Sequence, residues 1–361
     1  MKAKDGEIIM NNVNQKIIDA IIAKAEKECP DSLALIGVYG SVATGDEYAK
    51  SDLDLLILIL DENGWKLGTG FILDDSDVGY DIYCTDWNGL RSDAQCHHAQ
   101  LSKLMDSKIV YVKKQEAYEE LCRLRQQAKE FLASEQRFDR VDKLIDKAKE
   151  FFANAHLHKE LGQVRLDVFG VMYYLLDAVM LYHGTYFKRG VKRTFEELAV
   201  LPLEESFINN MKKITISKGI SELRDLAKNL LLYVENHTRR EQPKAEPSEG
   251  LAGTYEEIYS NWRNKVEEAA SNQDTFASFM NMCNLHYMFS EIASETNIGN
   301  YNIMGAYQPD DLEANVQIFD EYLKKYEQVY QKAGLRVQKY SDVDAFVADY
   351  LGEEMEHRKE K

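Results

Sequence analysis

The apolar residues of this chain change their spacing once, near residue 115, and that change limits the folds open to it. Before it lie short apolar runs. Leu33 to Tyr39 stops at Gly40, Leu53 to Leu60 closes on a turn from Asp61 to Gly64, and a third run spans Val78 to Cys84. Runs of this length between turn residues predict buried strands. Val13, Ile17, Ile21 and Ala25 recur every four residues ahead of them, predicting an amphipathic helix that ends before Pro30. The first hundred residues therefore read as a small α/β sheet unit. From Gln115 the period is helical. Ala117, Leu121, Leu124, Ala128 and Phe131 share one face, and Phe138, Val141, Ile145, Ala148, Phe152 and Ala155 share another. The segment 161–181 is apolar on most sides, which places it in the middle of a bundle. Further helices are expected near 221–236, 255–291 and 311–332. The tail predicts a strand at 335–339 and a last helix capped at Ser341 and running to Leu351. Pro243 and Pro247 mark 238–253 as an exposed loop within the helical part.

At 361 residues the chain is long enough for two or three domains, and the change of period divides it into 1–113 and 114–361. Lys plus Arg is 44 and Asp plus Glu is 61, a net charge of −17. Such a charge argues against nucleic-acid and anionic-membrane partners, which are held mostly by cationic surface. Its plain consequence is solubility, and its functional reading is attraction of cationic partners. Cys29, Cys84, Cys96, Cys122 and Cys283 form no Cys-x-x-Cys pair, so reduced thiols and a cytoplasmic location are expected. The start at Met1 is polar and lacks the apolar core of a leader. No stretch approaches the ~18 apolar residues of a membrane span.

Gly40 and Ser41 end the first strand, and Asp52 and Asp54 open the second after ten intervening residues. Two residues at i and i+2 of a strand point to one face, with Cα atoms roughly 6–7 Å apart. Two carboxylates on one spot repel unless a cation lies between them. Oxygen ligands of this kind suit Mg²⁺, which completes its shell with water and phosphates. Gly40 allows close backbone approach to a phosphate, and Ser41 offers a hydroxyl and an amide. Asp81 is an ionisable residue inside the third apolar run. If that strand neighbours the second, three carboxylates meet at one sheet edge, enough for two metal ions ~3.5–4 Å apart. Taken singly, each of these is more often a solvated turn or a paired surface residue.

Together, the stretch from Tyr39 to Leu58 and the later Asp81 resemble the signature of the DNA polymerase beta-type nucleotidyltransferase superfamily: Gly-Ser, then Ser-Asp-x-Asp, then a third carboxylate. The overall plan is similar to that of bacterial antibiotic nucleotidyltransferases, and the stretch from Tyr173 through Tyr186 to Leu198 resembles their helical part less specifically. The resemblance implies an α+β fold, with a small mixed-sheet nucleotidyltransferase domain followed by a helical-bundle domain. It implies Mg²⁺ on Asp52, Asp54 and Asp81, an NTP (ATP foremost) as co-substrate near Gly40 and Ser41, and a small hydroxylated acceptor, an aminoglycoside-like antibiotic among them. Where family members often carry an arginine four residues after the glycine, this chain has Thr44. A homodimer is compatible with the sequence. A regulatory protein adenylyltransferase and a non-catalytic nucleotide-binding module are the competing readings.

Lys147 and Lys149 lie on a helix after the sheet unit. They are either a solvated face balanced by Asp139, Asp142 and Asp146 or, as a lysine of the helical domain does in related enzymes, they reach the nucleotide's phosphates. Asp167 and Asp177 interrupt the most apolar helical segment, where charge is costly unless paired or facing a cleft. With Glu160 they are candidates for gripping an acceptor's amines or taking its hydroxyl proton. Cys96, His97 and His98 beside Asp93 have the look of a metal cluster, but adjacent histidines on a helix diverge and no second cluster follows, so they read as structural or surface residues. The tyrosines at 173, 174, 182 and 186 with Phe187 read as core, or as a surface for stacking a base or sugar.

Overall fold

A computed structural model describes residues 10–240 and 243–352 of the chain. The polar start at Met1, on which the expectation about a leader rests, lies outside the described residues. The chain divides into two compact units, Met1–Arg240 and Glu241–Lys361.

In the first unit, α1 (Asn12–Glu28) begins where the Asn11 side chain accepts from the Asn14 amide at 2.8 Å, a cap worth about 1 kcal/mol. It buries Ile18, Ile21 and Ala25. β1 (Leu33–Val38) and β2 (Leu55–Ile59) are buried at every position. Their side chains divide between two cores. Leu33, Ile36, Val38, Leu55, Ile57 and Ile59 join α1 in one. Ala34, Leu35, Leu56 and Leu58 join the helical side in the other. Covering on both faces is why these strands read as unbroken apolar runs.

Between β1 and β2 lies the single-turn α2 (Gly40–Thr44). β3 (Thr69–Leu73) and β4 (Val78–Ile82) form a separate antiparallel hairpin. β5 (Cys84–Thr85), α3 (Trp87–Ala94), α4 (Ser102–Met105) and β6 (Lys108–Val112) complete the α/β part. The main sheet has the order β5-β2-β1-β6 and is mixed: β1 is antiparallel to β2 and β6, while β2 and β5 are parallel. The third predicted strand is thus two. Val78–Ile82 belongs to the hairpin, and only Cys84–Thr85 reaches the main sheet.

Helices α5 (Gln115–Ala133), α6 (Gln136–Leu157), α7 (Leu161–Tyr182), α8 (Thr194–Leu198), α9 (Glu205–Ile216) and α10 (Ile220–His237) follow. α7 packs along α6 and against α10. Gly170 sits where a Cβ would lie 2.3 Å from Phe151, so the glycine lets α6 and α7 approach. The architecture is α+β, a small mixed sheet followed by helices. The boundary between compact units is at 240/241, not at 113/114. One apolar core runs from Leu35 and Leu90 through Leu121 to Val171 and Leu230, across the expected boundary. The stretch 238–253, expected as a loop within the helical part, contains the division instead.

The second unit comprises α11 (Thr254–Ile258), α12 (Asn264–Ser271), α13 (Thr275–Glu295), α14 (Ile303–Ala306), α15 (Leu312–Lys332) and α16 (Val343–Leu351). Its core holds Tyr255, Phe289, Tyr301, Tyr326 and Tyr330. The Tyr330 hydroxyl accepts from the Tyr255 amide at 2.9 Å. The helix expected over 255–291 is broken by a π-turn at Tyr259–Arg263 and by Gln273, whose φ is 54°. No strand forms at 335–339, and α16 is capped by Asp342, which accepts from the Ala345 amide, rather than by Ser341. All five cysteines are free thiols. Among the described residues, no helix is long and apolar enough to cross a membrane.

Candidate active site

The end of β1 fixes the site. The Tyr39 amide donates to the Asp54 carbonyl at 3.1 Å, tying the exit of β1 to the entry of β2. Gly40 then turns the chain into α2 with φ of 64°. A Cβ there would lie 1.9 Å from Asp54 Oδ2, so the carboxylate rests directly on the glycine. Both the backbone conformation and the close approach require glycine. Asp52 and Asp54 flank the buried Leu53 just before β2, one exposed and the other half-buried. Burial, with the charge of Asp52 beside it, raises the Asp54 pKa to about 6 despite a hydrogen bond from the Ser41 backbone. This is a strained carboxylate pair, and a cation would relieve it.

Asp81 reaches the same region by another route. It lies exposed on β4, opposite Gly70. β4 runs on into β5, where Cys84 pairs with Ile57 of β2. Asp81 and Asp54 each stand three residues before that pair in sequence. Burial and the charges of Asp54, Asp52, Asp93 and Asp81 together push the Tyr39 hydroxyl up to about 12. Asp52 and Asp81 also share a shallow groove of about 580 Å³ with Gly70, Ile72 and Gly79. Yet among the described residues no group of three or more His, Cys, Asp or Glu side chains is placed to hold a metal ion. The strand that carries Asp81 does not neighbour β2 in the main sheet, as the expected three-carboxylate edge required, but belongs to the β3–β4 hairpin. Asp52 and Asp54 are the carboxylates that could hold a divalent ion as a pair. Mg²⁺ is commonly bound by one or two carboxylates plus water and phosphate.

Asp54 lines a second pocket, of about 300 Å³. Gly40, Ser41, Thr44 and Asp54 line one side, and Arg189, Lys192 and Arg193 the other. These cations come from the segment between α7 and α8. Arg189 and Arg193 both pair with Asp46, and each also pairs with Glu196, at 3.1 and 2.6 Å. Arg193 Nε is buried without a partner. The pocket therefore sets three cations opposite the Gly40–Ser41 turn, beside Thr44.

Lys147 and Lys149 do not line this pocket. Lys147 pairs with Glu150 at 2.8 Å, and Lys149 with Asp146 at 3.3 Å and with Glu235 of α10 at 2.9 Å. Nor do Glu160, Asp167 and Asp177 converge. They are spread along α7, whose rise puts Glu160 roughly 25 Å from Asp177. Glu160 is exposed at the start of the helix. Asp167 is 4% exposed and bonded to His158 Nδ1 at 2.7 Å, so its charge is met within the α6–α7 corner. Asp177 is 1% exposed, and burial raises its pKa to about 6 next to Ala99, His98 and Gln100. His98 in turn lies 3.6 Å from Asp93, which Lys103 contacts at 3.1 Å. Cys96 is buried in the core. The Tyr186 hydroxyl donates to Asp106 at 2.8 Å.

Sequence reasoning missed Arg189, Lys192, Arg193 and Asp46. A signal was present, four cations from Lys188 to Arg193 in a chain of net charge −17.

Comparison with protein-family models and with curated proteins gives no match. Among solved structures, the chain is similar to a nucleotidyltransferase-like protein from Exiguobacterium sibiricum. The two are 13% identical with a TM-score of 0.35, over 63% of this chain and 75% of that one.

Proposed function

We propose that this chain is a Mg²⁺-dependent nucleotidyltransferase that moves a nucleoside monophosphate, AMP from ATP foremost, to a hydroxyl of a small acceptor. The observation that carries the reading is Asp54, which rests on Gly40 with the charge of Asp52 beside it and shares a pocket with Ser41 and three cations. In this reading Asp52 and Asp54 hold the metal, which when bound supplies charge neutralisation at the reacting phosphate. The Ser41 amide and hydroxyl orient the phosphates. Arg189, Lys192 and Arg193 neutralise the β- and γ-phosphates, whose charge grows as pyrophosphate departs. The acceptor oxygen bonds to the α-phosphorus as the bond to the β-phosphate oxygen breaks, and Asp81 takes the acceptor's proton.

The acceptor then lies in the groove of Asp52 and Asp81, not along α7. An amine-bearing acceptor such as an aminoglycoside suits an acidic chain, whose field would raise its local concentration. One observation favours a second reading, a protein hydroxyl as acceptor. The groove is shallow, and Gly70, Ile72 and Gly79 of the hairpin are exposed to solvent, which leaves room for a macromolecule.

The test is to supply α-labelled and γ-labelled ATP in parallel, with Mg²⁺ and a panel of aminoglycosides, lincosamides and proteins. Label from the α position alone should appear on an acceptor, with pyrophosphate released. Transfer of γ label, or hydrolysis alone, would remove the reading.

A further inference from the structure

Asp46 holds the cations that the proposed triphosphate would use. It follows Gly45, whose φ of 73° ends α2. Its Oδ2 accepts from Arg189 Nε at 2.5 Å. Its Oδ1 accepts from Arg189 Nη2 and, at 3.1 Å, from Arg193 Nη2. Lys192 donates to its carbonyl oxygen. One residue thus takes donors from all three pocket cations. Its side chain is 11% exposed. The hydrogen bond and charge of Arg189, with Arg193 and against some burial, lower its pKa to about 2, so it stays ionised near neutrality. A carboxylate gripped edge-on by a guanidinium presents the same pair of oxygens as a phosphate. The match is incomplete, because Arg193 Nε stays buried without an acceptor. A buried donor of this kind is uncommon and points to a ligand with more oxygens than Asp46 provides.

We propose that Asp46 is an internal stand-in for phosphate, a carboxylate latch that a polyphosphate displaces from Arg189 and Arg193 on binding. The inference rests on the phosphate role of those arginines and goes beyond it. The latch keeps the cations paired when the pocket is free, and it sets nucleotide affinity below what the cations alone would give. On displacement, the polyphosphate takes over the two guanidiniums and reaches Arg193 Nε as well.

The experiment is calorimetric titration of the full chain with inorganic tripolyphosphate, which tests the pocket without transfer chemistry. Asp46→Asn should bind at least fivefold tighter than the wild type. Asp46→Ser, a second neutral variant, should shift the same way, and Asp46→Glu should return affinity toward the wild type. Glu47→Gln removes a charge one residue away and should change affinity less than twofold. In an Arg189→Gln background the gain from Asp46→Asn should shrink, since the effect runs through that pair. Weaker binding in both neutral variants would make Asp46 a strut that orients the arginines, and would overturn the proposal. Equal gains from Asp46→Asn and Glu47→Gln would reduce it to general electrostatics and overturn it too. No binding by any variant would overturn the latch and the phosphate role together. The expected gains without nucleotidyl transfer to any acceptor would support the latch and sink the transfer reading.

Discussion

Asparagine in place of Asp54 should stabilise the fold at neutral pH while abolishing transfer. The folded protein holds this carboxyl at a pKa of about 6 against an ordinary value of 3.8, through burial and the neighbouring charge of Asp52. A shift of two units corresponds to about 3 kcal/mol between protonation states. Solvent at the half-exposed rim screens part of it, leaving about 1–2 kcal/mol. The sign follows from proton linkage. Between pH 4 and 6 the folded state binds a proton that the unfolded state has lost, so wild-type stability falls as pH rises through that window. The penalty is absent below pH 4 and complete above pH 6. Asparagine keeps an acceptor for the Ser41 amide and carries no charge. Its melting temperature should exceed that of the wild type by about 2–8 °C at pH 7.5, and the two should converge below pH 4. Thermal unfolding followed by circular dichroism across pH 3.5–8 reads this directly. A variant that melts at or below the wild-type temperature at pH 7.5, or with a difference independent of pH, would refute the reasoning.

Other substitutions separate the parts of the site. Gly40→Ala places a methyl group against the Asp54 carboxylate at positive φ; a loss of roughly 1–3 kcal/mol in urea unfolding is expected, with transfer reduced further than stability explains. Arg193→Gln should raise the nucleotide KM by roughly tenfold, the worth of a charge-assisted contact. Lys147→Ala and Lys149→Ala, whose partners are surface carboxylates, should leave KM unchanged and stability within roughly 0.5 kcal/mol. His158→Ala leaves the buried Asp167 carboxylate without its partner and should cost about 1–3 kcal/mol by chemical denaturation, with no effect on KM.

What the sequence shows is what local patterning controls. β1 and β2 are legible because both of their faces are buried, so every position is apolar. α7 is legible for a similar reason, and its predicted span differs from the observed helix by one residue. Gly40, Ser41, Asp52 and Asp54 are legible because a turn and a strand entry bring them together over a short stretch of chain. Asp81 is half legible. Its place in a strand just before the one that joins β2 is readable from the apolar run, but that run does not reveal that the strand belongs to a hairpin. The cations are not legible as a site, because Arg189 meets Asp46 across 143 residues. The acidic residues of α7 show the limit of a cost argument. A buried carboxylate needs a partner, and the partner of Asp167 proves to be His158 nearby rather than an acceptor's amine.

The most direct measurement is a crystal structure of the full chain grown with Mn²⁺ and α,β-methylene ATP, with the metal located by anomalous scattering. The account predicts manganese between the carboxylates of Asp52 and Asp54, and the triphosphate against Ser41 with Arg193 Nε on a phosphate oxygen. Manganese bound away from that pair, or a nucleotide seated elsewhere while the pocket of Arg189 and Arg193 takes no phosphate, would contradict it.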